Sequence, residues 1–135
     1  MNAEELKYMK ALQPGIREAM GNRWNIGDKG YCAEHDSYYY YGDHLEEMCC
    51  DEEGIRIPLA IDPENPGRGL QGMCSPPVQL TPIYNPYQDN VIICWEATWS
   101  IEKCGENKLI IVGADTPYLA LLKSLAAQWG VEVEG

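Results

Sequence analysis

The sequence predicts an α+β domain: an antiparallel β-sheet with an N-terminal helix and a C-terminal helix packed on it. Three observations carry this. Residues 91–101 alternate with a period of two, residues 4–20 carry apolar side chains near helical spacing, and a capped apolar stripe begins after Thr116. At 135 residues the chain lies in the range of one domain, with about two thirds of its unfolded surface buried on folding. Residues 1–135 are therefore read as a single domain.

In the first helical run, Leu6, Met9, Leu12, Ile16 and Met20 line one side. Pro14 interrupts it, because proline lacks the backbone donor and its ring crowds the carbonyl of Lys10. A break near Gln13 or a sharp kink is expected there. Gly27-Asp28 then forms a turn into a strand over 29–33, and the tyrosines at 38–41 suit a strand that pairs back as a hairpin. Residues 55–61 are a short apolar strand whose Pro58 argues for an edge position.

Seven of the nine prolines fall between Pro58 and Pro86, which reads as a long irregular stretch, either a surface excursion or a wrapped loop. The clearest strand follows. Val91, Ile93, Trp95, Ala97, Trp99 and Ile101 share one face and Glu96, Thr98 and Ser100 the other, as in a half-buried strand. A turn over 103–108 and a return over 109–112 complete a hairpin at the centre of the sheet.

The last helix has its start written in Asp115-Thr116-Pro117, where a side chain caps the free N–H groups and proline suits the first helical position. Tyr118, Leu121, Leu122, Leu125 and Trp129 form its apolar stripe, and Gly130 stops it. Residues 131–134 are expected to add a short edge strand.

Charge is the strongest functional signal. Of a net charge of −11, residues 28–64 carry −9, from eleven acids against Lys29 and Arg56. Residues 34–53 hold eight carboxylates, four consecutive tyrosines, two histidines and a vicinal cysteine pair, without a single lysine or arginine. Such a surface repels phosphate backbones and anionic headgroups, which excludes direct nucleic-acid binding and membrane attachment and leaves cations or a basic host protein as partners. Glu46, Glu47, Asp51, Glu52 and Glu53 are the partner-binding candidates. They lack the alternating spacing and turn glycine of a calcium loop.

Cys32, His35, His44, Cys49 and Cys50 form the one grouping with metal-ligand chemistry, since thiolates and imidazoles suit Zn²⁺. Their spacing is not that of a standard finger, and the competing reading is cysteines acting as small hydrophobes beside solvated histidines. A cysteine nucleophile is disfavoured, because the surrounding carboxylates hold the thiol protonated. No cofactor is expected beyond zinc in that alternative. The six cysteines read as thiols in a cytoplasmic protein, consistent with a charged N-terminus and no apolar run near 18 residues. Gly67-Arg68-Gly69-Leu70-Gln71-Gly72 matches the dinucleotide fingerprint in letters, but prolines stand where the strand and helix should be, so a turn is expected. Trp95 and Trp99 are expected in the core rather than in a ligand groove. No catalytic constellation is present, and the chain reads as non-enzymatic.

Several pieces resemble a loose group of small, functionally unassigned proteins encoded by bacteriophages and prophages. They are Leu12-Gln13-Pro14-Gly15-Ile16-Arg17-Glu18-Ala19-Met20, Trp24 with Ile26-Gly27-Asp28-Lys29-Gly30-Tyr31-Cys32, Pro58-Leu59-Ala60-Ile61-Asp62-Pro63, and Asp115-Thr116-Pro117 leading into Ala120-Leu121-Leu122-Lys123-Ser124-Leu125-Ala126. The last piece is also similar to the helix start of the phage alpha-beta-alpha sandwich, which layers helices and a sheet. The resemblance implies a phage or prophage origin and nothing about residues that do chemistry.

Overall fold

The computed structural model describes residues 2–20, 29–32, 37–40, 56–58 and 69–133. Its first element, α1 (Ala3–Met20), opens on a reciprocal capping box: the Glu5 amide donates to Asn2 Oδ1 at 2.8 Å and the Asn2 amide donates to Glu5 Oε1 at 3.2 Å. Of the break or kink expected at Pro14, the break does not occur: the helix runs through Pro14 as one element. An interior proline costs about 3 kcal/mol. Met9, Leu12 and Ile16, fully buried on both sides of it, each contribute about 1.5–3 kcal/mol, so a break would forfeit more than it relieves. Lys10 and Pro14 both lie on the exposed side of the helix, where water can solvate the Lys10 carbonyl that Pro14 cannot bond.

Three short strands, β1 (Lys29–Cys32), β2 (Ser37–Tyr40) and β3 (Arg56–Pro58), form one antiparallel sheet in the order β2-β1-β3. The hairpin of β1 and β2 is as expected, in the register Tyr31 opposite Tyr38, and Pro58 does lie on an edge strand.

The main sheet has the order β4-β5-β6, all antiparallel, from β4 (Gln79–Tyr84), β5 (Ile92–Lys103) and β6 (Glu106–Ala114). β4 lies inside the stretch expected to be irregular. Its Pro82 disguised it, yet an edge strand tolerates a proline that lacks a ladder donor. The turn between β5 and β6 is tighter than expected, only Cys104-Gly105, with φ of 56° and 80°. Positive φ at both central residues is the type I′ hairpin turn, whose twist matches that of its strands.

The C-terminal helix, α2 (Pro117–Trp129), is built as its sequence requires. Thr116 Oγ accepts the Leu119 amide at 3.1 Å, Pro117 occupies the first turn, and Gly130 closes the helix at φ 67°. Residues 131–133 add no strand. Burial on α2 exceeds the expected stripe: Leu119, Ala120, Ser124 and Ala126 are buried with Leu121, Leu122 and Leu125. The reason is that α2 packs against the sheet and α1 also packs on α2, so two faces need apolar or small residues. Ser124 satisfies its hydroxyl by donating to the Ala120 carbonyl at 2.7 Å. Where the helices meet, Gly15 approaches the Trp129 indole so closely that an added Cβ would lie 2.7 Å from the ring.

The segment before β4 wraps onto this core. Leu70, Cys74 and Val78 are buried, and Gln128 from α2 brackets the chain, accepting the Ser75 amide at 3.0 Å and donating to the Pro76 carbonyl at 2.9 Å.

Candidate interaction surface

Of the zinc candidates, Cys32 ends β1, opposite Ser37 of β2 and Arg56 of β3. His35, His44, Cys49 and Cys50 lie outside the described residues, as do Glu46, Glu47, Asp51, Glu52 and Glu53. Among the described residues, no three His, Cys, Asp or Glu side chains gather as a metal site. The topology does place the ends of the acidic segment. It leaves β2 at Tyr40, beside Lys29, and re-enters β3 at Arg56, beside Cys32, so its ends lie on opposite edges and opposite ends of one small sheet.

The described residues show a second surface that the sequence reading missed. Tyr84, Tyr87, Val91, Ile92 and Ile93 are exposed around the β4–β5 connection, Tyr87 at 93%. Val91 and Ile93 were expected on the buried face. The helix is too short to reach them: 13 residues of α2 span about 20 Å, whereas 12 residues of β5 span about 40 Å. Cover extends over Trp95 to Ile101, and the strand projects beyond it. The register shift at Ile83/Tyr84 acts at the same place: Ile83 pairs with Cys94 but Tyr84 with Ile92, so Ile92 and not Val91 continues the face of Trp95.

Asn85 shapes the connection. Its Oδ1 accepts the Tyr87 amide at 2.8 Å, and its own amide donates to the Val91 carbonyl at 2.7 Å. Asn90 supplies a left-handed residue at φ 64°. The result is an open depression of about 390 Å³ lined by Tyr84, Asn85, Gln88, Asp89 and Asn90. A phenol, amides and one carboxylate can hydrogen-bond in it, but no nucleophile stands beside a base. Tyrosine with adaptable amides is a composition suited to protein contact, since the ring gives large area for little ordering entropy.

Burial pushes the Cys74 thiol up to about 11 from 9.0, and its Sγ donates to the Leu70 carbonyl at 3.5 Å, so it is an inert core group. Cys94 and Cys104 are free thiols. Of the glycine-rich match, Gly67 and Arg68 lie outside the described residues; Leu70 is buried and a single 3₁₀ turn (Gln71–Met73) follows it, so the described part anchors the core. Trp99 is buried and Trp95 packs half-buried against the core.

No protein family, curated protein or solved structure matches the chain. Among the described residues no helix is long and apolar enough to cross a membrane.

Proposed function

We propose that this chain is a non-enzymatic accessory protein of phage or prophage origin that acts in the host cytoplasm by binding a basic host protein. The observation that carries the binding reading is the exposed cluster of Tyr84, Tyr87, Val91, Ile92 and Ile93, since exposed apolar groups gathered at one end of a domain mark interaction sites. The acidic segment supplies the preference of sign, with Glu46, Glu47, Asp51, Glu52 and Glu53 as the groups that meet the partner's lysines and arginines. The origin rests on the resemblance of the framework pieces around Pro14, Gly27, Pro58 and Thr116.

Affinity capture from host lysate tests this. A basic protein retained by the native chain should be lost or weakened both by Tyr87→Ser/Ile93→Ser and by Glu46→Gln/Glu47→Gln/Glu52→Gln/Glu53→Gln. Retention unchanged by either set would remove the proposal. The second reading is a small zinc module, favoured by the thiols and imidazoles of Cys32, His35, His44, Cys49 and Cys50, and metal analysis decides it.

A further inference from the structure

The main sheet ends in two unlike edges. β4 carries Pro82 in mid-strand, which blunts that edge, whereas β6 runs nine residues without proline or bulge. The hairpin geometry shows which groups β6 presents. In a two-residue hairpin the closing pair, here Lys103 and Glu106, exchanges both backbone bonds, and the alternation of the antiparallel ladder then turns the amides and carbonyls of Lys108, Ile110, Val112 and Ala114 toward β5. Those of Asn107, Leu109, Ile111 and Gly113 point to the free edge. No backbone hydrogen bond of these four occurs outside the β5 ladder among the described residues. The same residues turn their side chains to the sheet face opposite α2, where Leu109 is 60% and Ile111 55% exposed. Unpaired backbone and uncovered apolar side chains thus coincide on one strand.

We propose that β6 pairs antiparallel with β6 of a second copy of this chain, about a two-fold axis at Ile110, giving a continuous six-stranded sheet with both α2 helices on the same side. The strand is self-complementary about that point. Leu109 faces Ile111 of the other copy, twice over, and Asn107 faces Gly113, all at positions whose backbone groups are free to bond. Charge selects the same surface. The chain as a whole carries −11 and repels its copies, but β6 holds one Glu106 and one Lys108 and is locally neutral. In this register Glu106 meets Ala114 and Lys108 meets Val112, so no like charges stand opposite one another. A single strand seam is small beside the roughly 1,600 Å² of a standard interface, so the dimer should dissociate on dilution.

Sedimentation equilibrium of the full chain over a wide concentration range tests the seam. The native chain should pass from monomer to dimer as concentration rises. Leu109→Lys/Ile111→Lys sets two like-charge pairs across the axis and should remain monomeric, while Thr81→Lys, on the exposed face of the β4 edge, should dimerise like the native chain. Should the double variant lose its helical circular dichroism, Leu109→Lys alone carries the test. The register is read by mixing Leu109→Cys with Ile111→Cys under mild oxidation. Directly opposed residues of a bonded pair lie about 5.5 Å apart between Cα atoms, within disulfide reach. Peptide mapping should then find the mixed 109–111 link above either same-position link. A native chain that stays monomeric, a dimer indifferent to Leu109→Lys, or a preferred 111–111 link would each overturn the proposal.

Discussion

Gly15→Ala sets two physical effects of opposite sign against each other. On helix propensity alone, alanine in the middle of α1 should stabilise by about 1 kcal/mol. The structure reverses that expectation, because the new Cβ would lie 2.7 Å and 2.9 Å from two carbons of the Trp129 ring. Carbon contacts are optimal at about 3.5–4.0 Å, so the indole would have to retreat by about 1 Å. Overpacking of this kind costs about 1–3 kcal/mol. The net result should be destabilisation of about 0–2 kcal/mol, read as a lower urea midpoint at constant slope. A second background isolates the cause. In Trp129→Leu the ring is gone, and Gly15→Ala should then stabilise by up to about 1 kcal/mol, a difference of about 1–3 kcal/mol between backgrounds. If Gly15→Ala stabilised both backgrounds equally, the close approach of α1 and α2 would be refuted.

Leu122→Ala should cost about 2–5 kcal/mol in urea unfolding, because a fully buried side chain leaves a cavity between α2 and its neighbours, and an unchanged midpoint would contradict that packing. Cys74 should resist thiol reagents at pH 8 until the chain unfolds, while exposed Cys104 reacts at once. The folded state holds the Cys74 proton up to about 11 whereas the unfolded chain releases it near 9.0, so stability should fall as pH rises from 9 toward 11, and less so in Cys74→Ala. The purified protein should carry no stoichiometric zinc, and a chelator should leave its melting temperature unchanged. One zinc per chain, lost together with the fold in Cys49→Ser/Cys50→Ser, would instead establish the metal module.

Legibility in the sequence followed the range of the forces involved. Thr116, Pro117 and Gly130 act on their own helix ends, so α2 could be located to the residue. The alternation of Trp95, Ala97, Trp99 and Ile101 is a local pattern with one solution. Pro14 and Pro82 misled because their costs are local, whereas what offsets them is not: the burial of Met9, Leu12 and Ile16 in one case, an edge position in the other. The capping box of Asn2 and Glu5 is written in the sequence as Asn-x-x-Glu, a purely local signal. Exposure of Val91 and Ile93 depends on the register shift against β4 and on the reach of a helix distant in sequence, neither of which the alternation within 91–101 reports. The acidic segment was legible as composition alone, and its carboxylates and the zinc candidates other than Cys32 lie outside the described residues.

If concentrated negative charge recognises a basic protein, as proposed, the rate of association with the captured partner must depend on it. Opposite charges steer encounter, and screening shortens to about 8 Å at physiological ionic strength. The association rate of the native chain should therefore fall steeply as salt rises. Glu46→Gln/Glu47→Gln/Glu52→Gln/Glu53→Gln should associate more slowly at low salt, with a flatter salt dependence and an unchanged melting temperature. Equal rates and equal salt dependence for the two proteins would contradict recognition by charge and leave the exposed end at Tyr84, Tyr87 and Ile93 as the binding face.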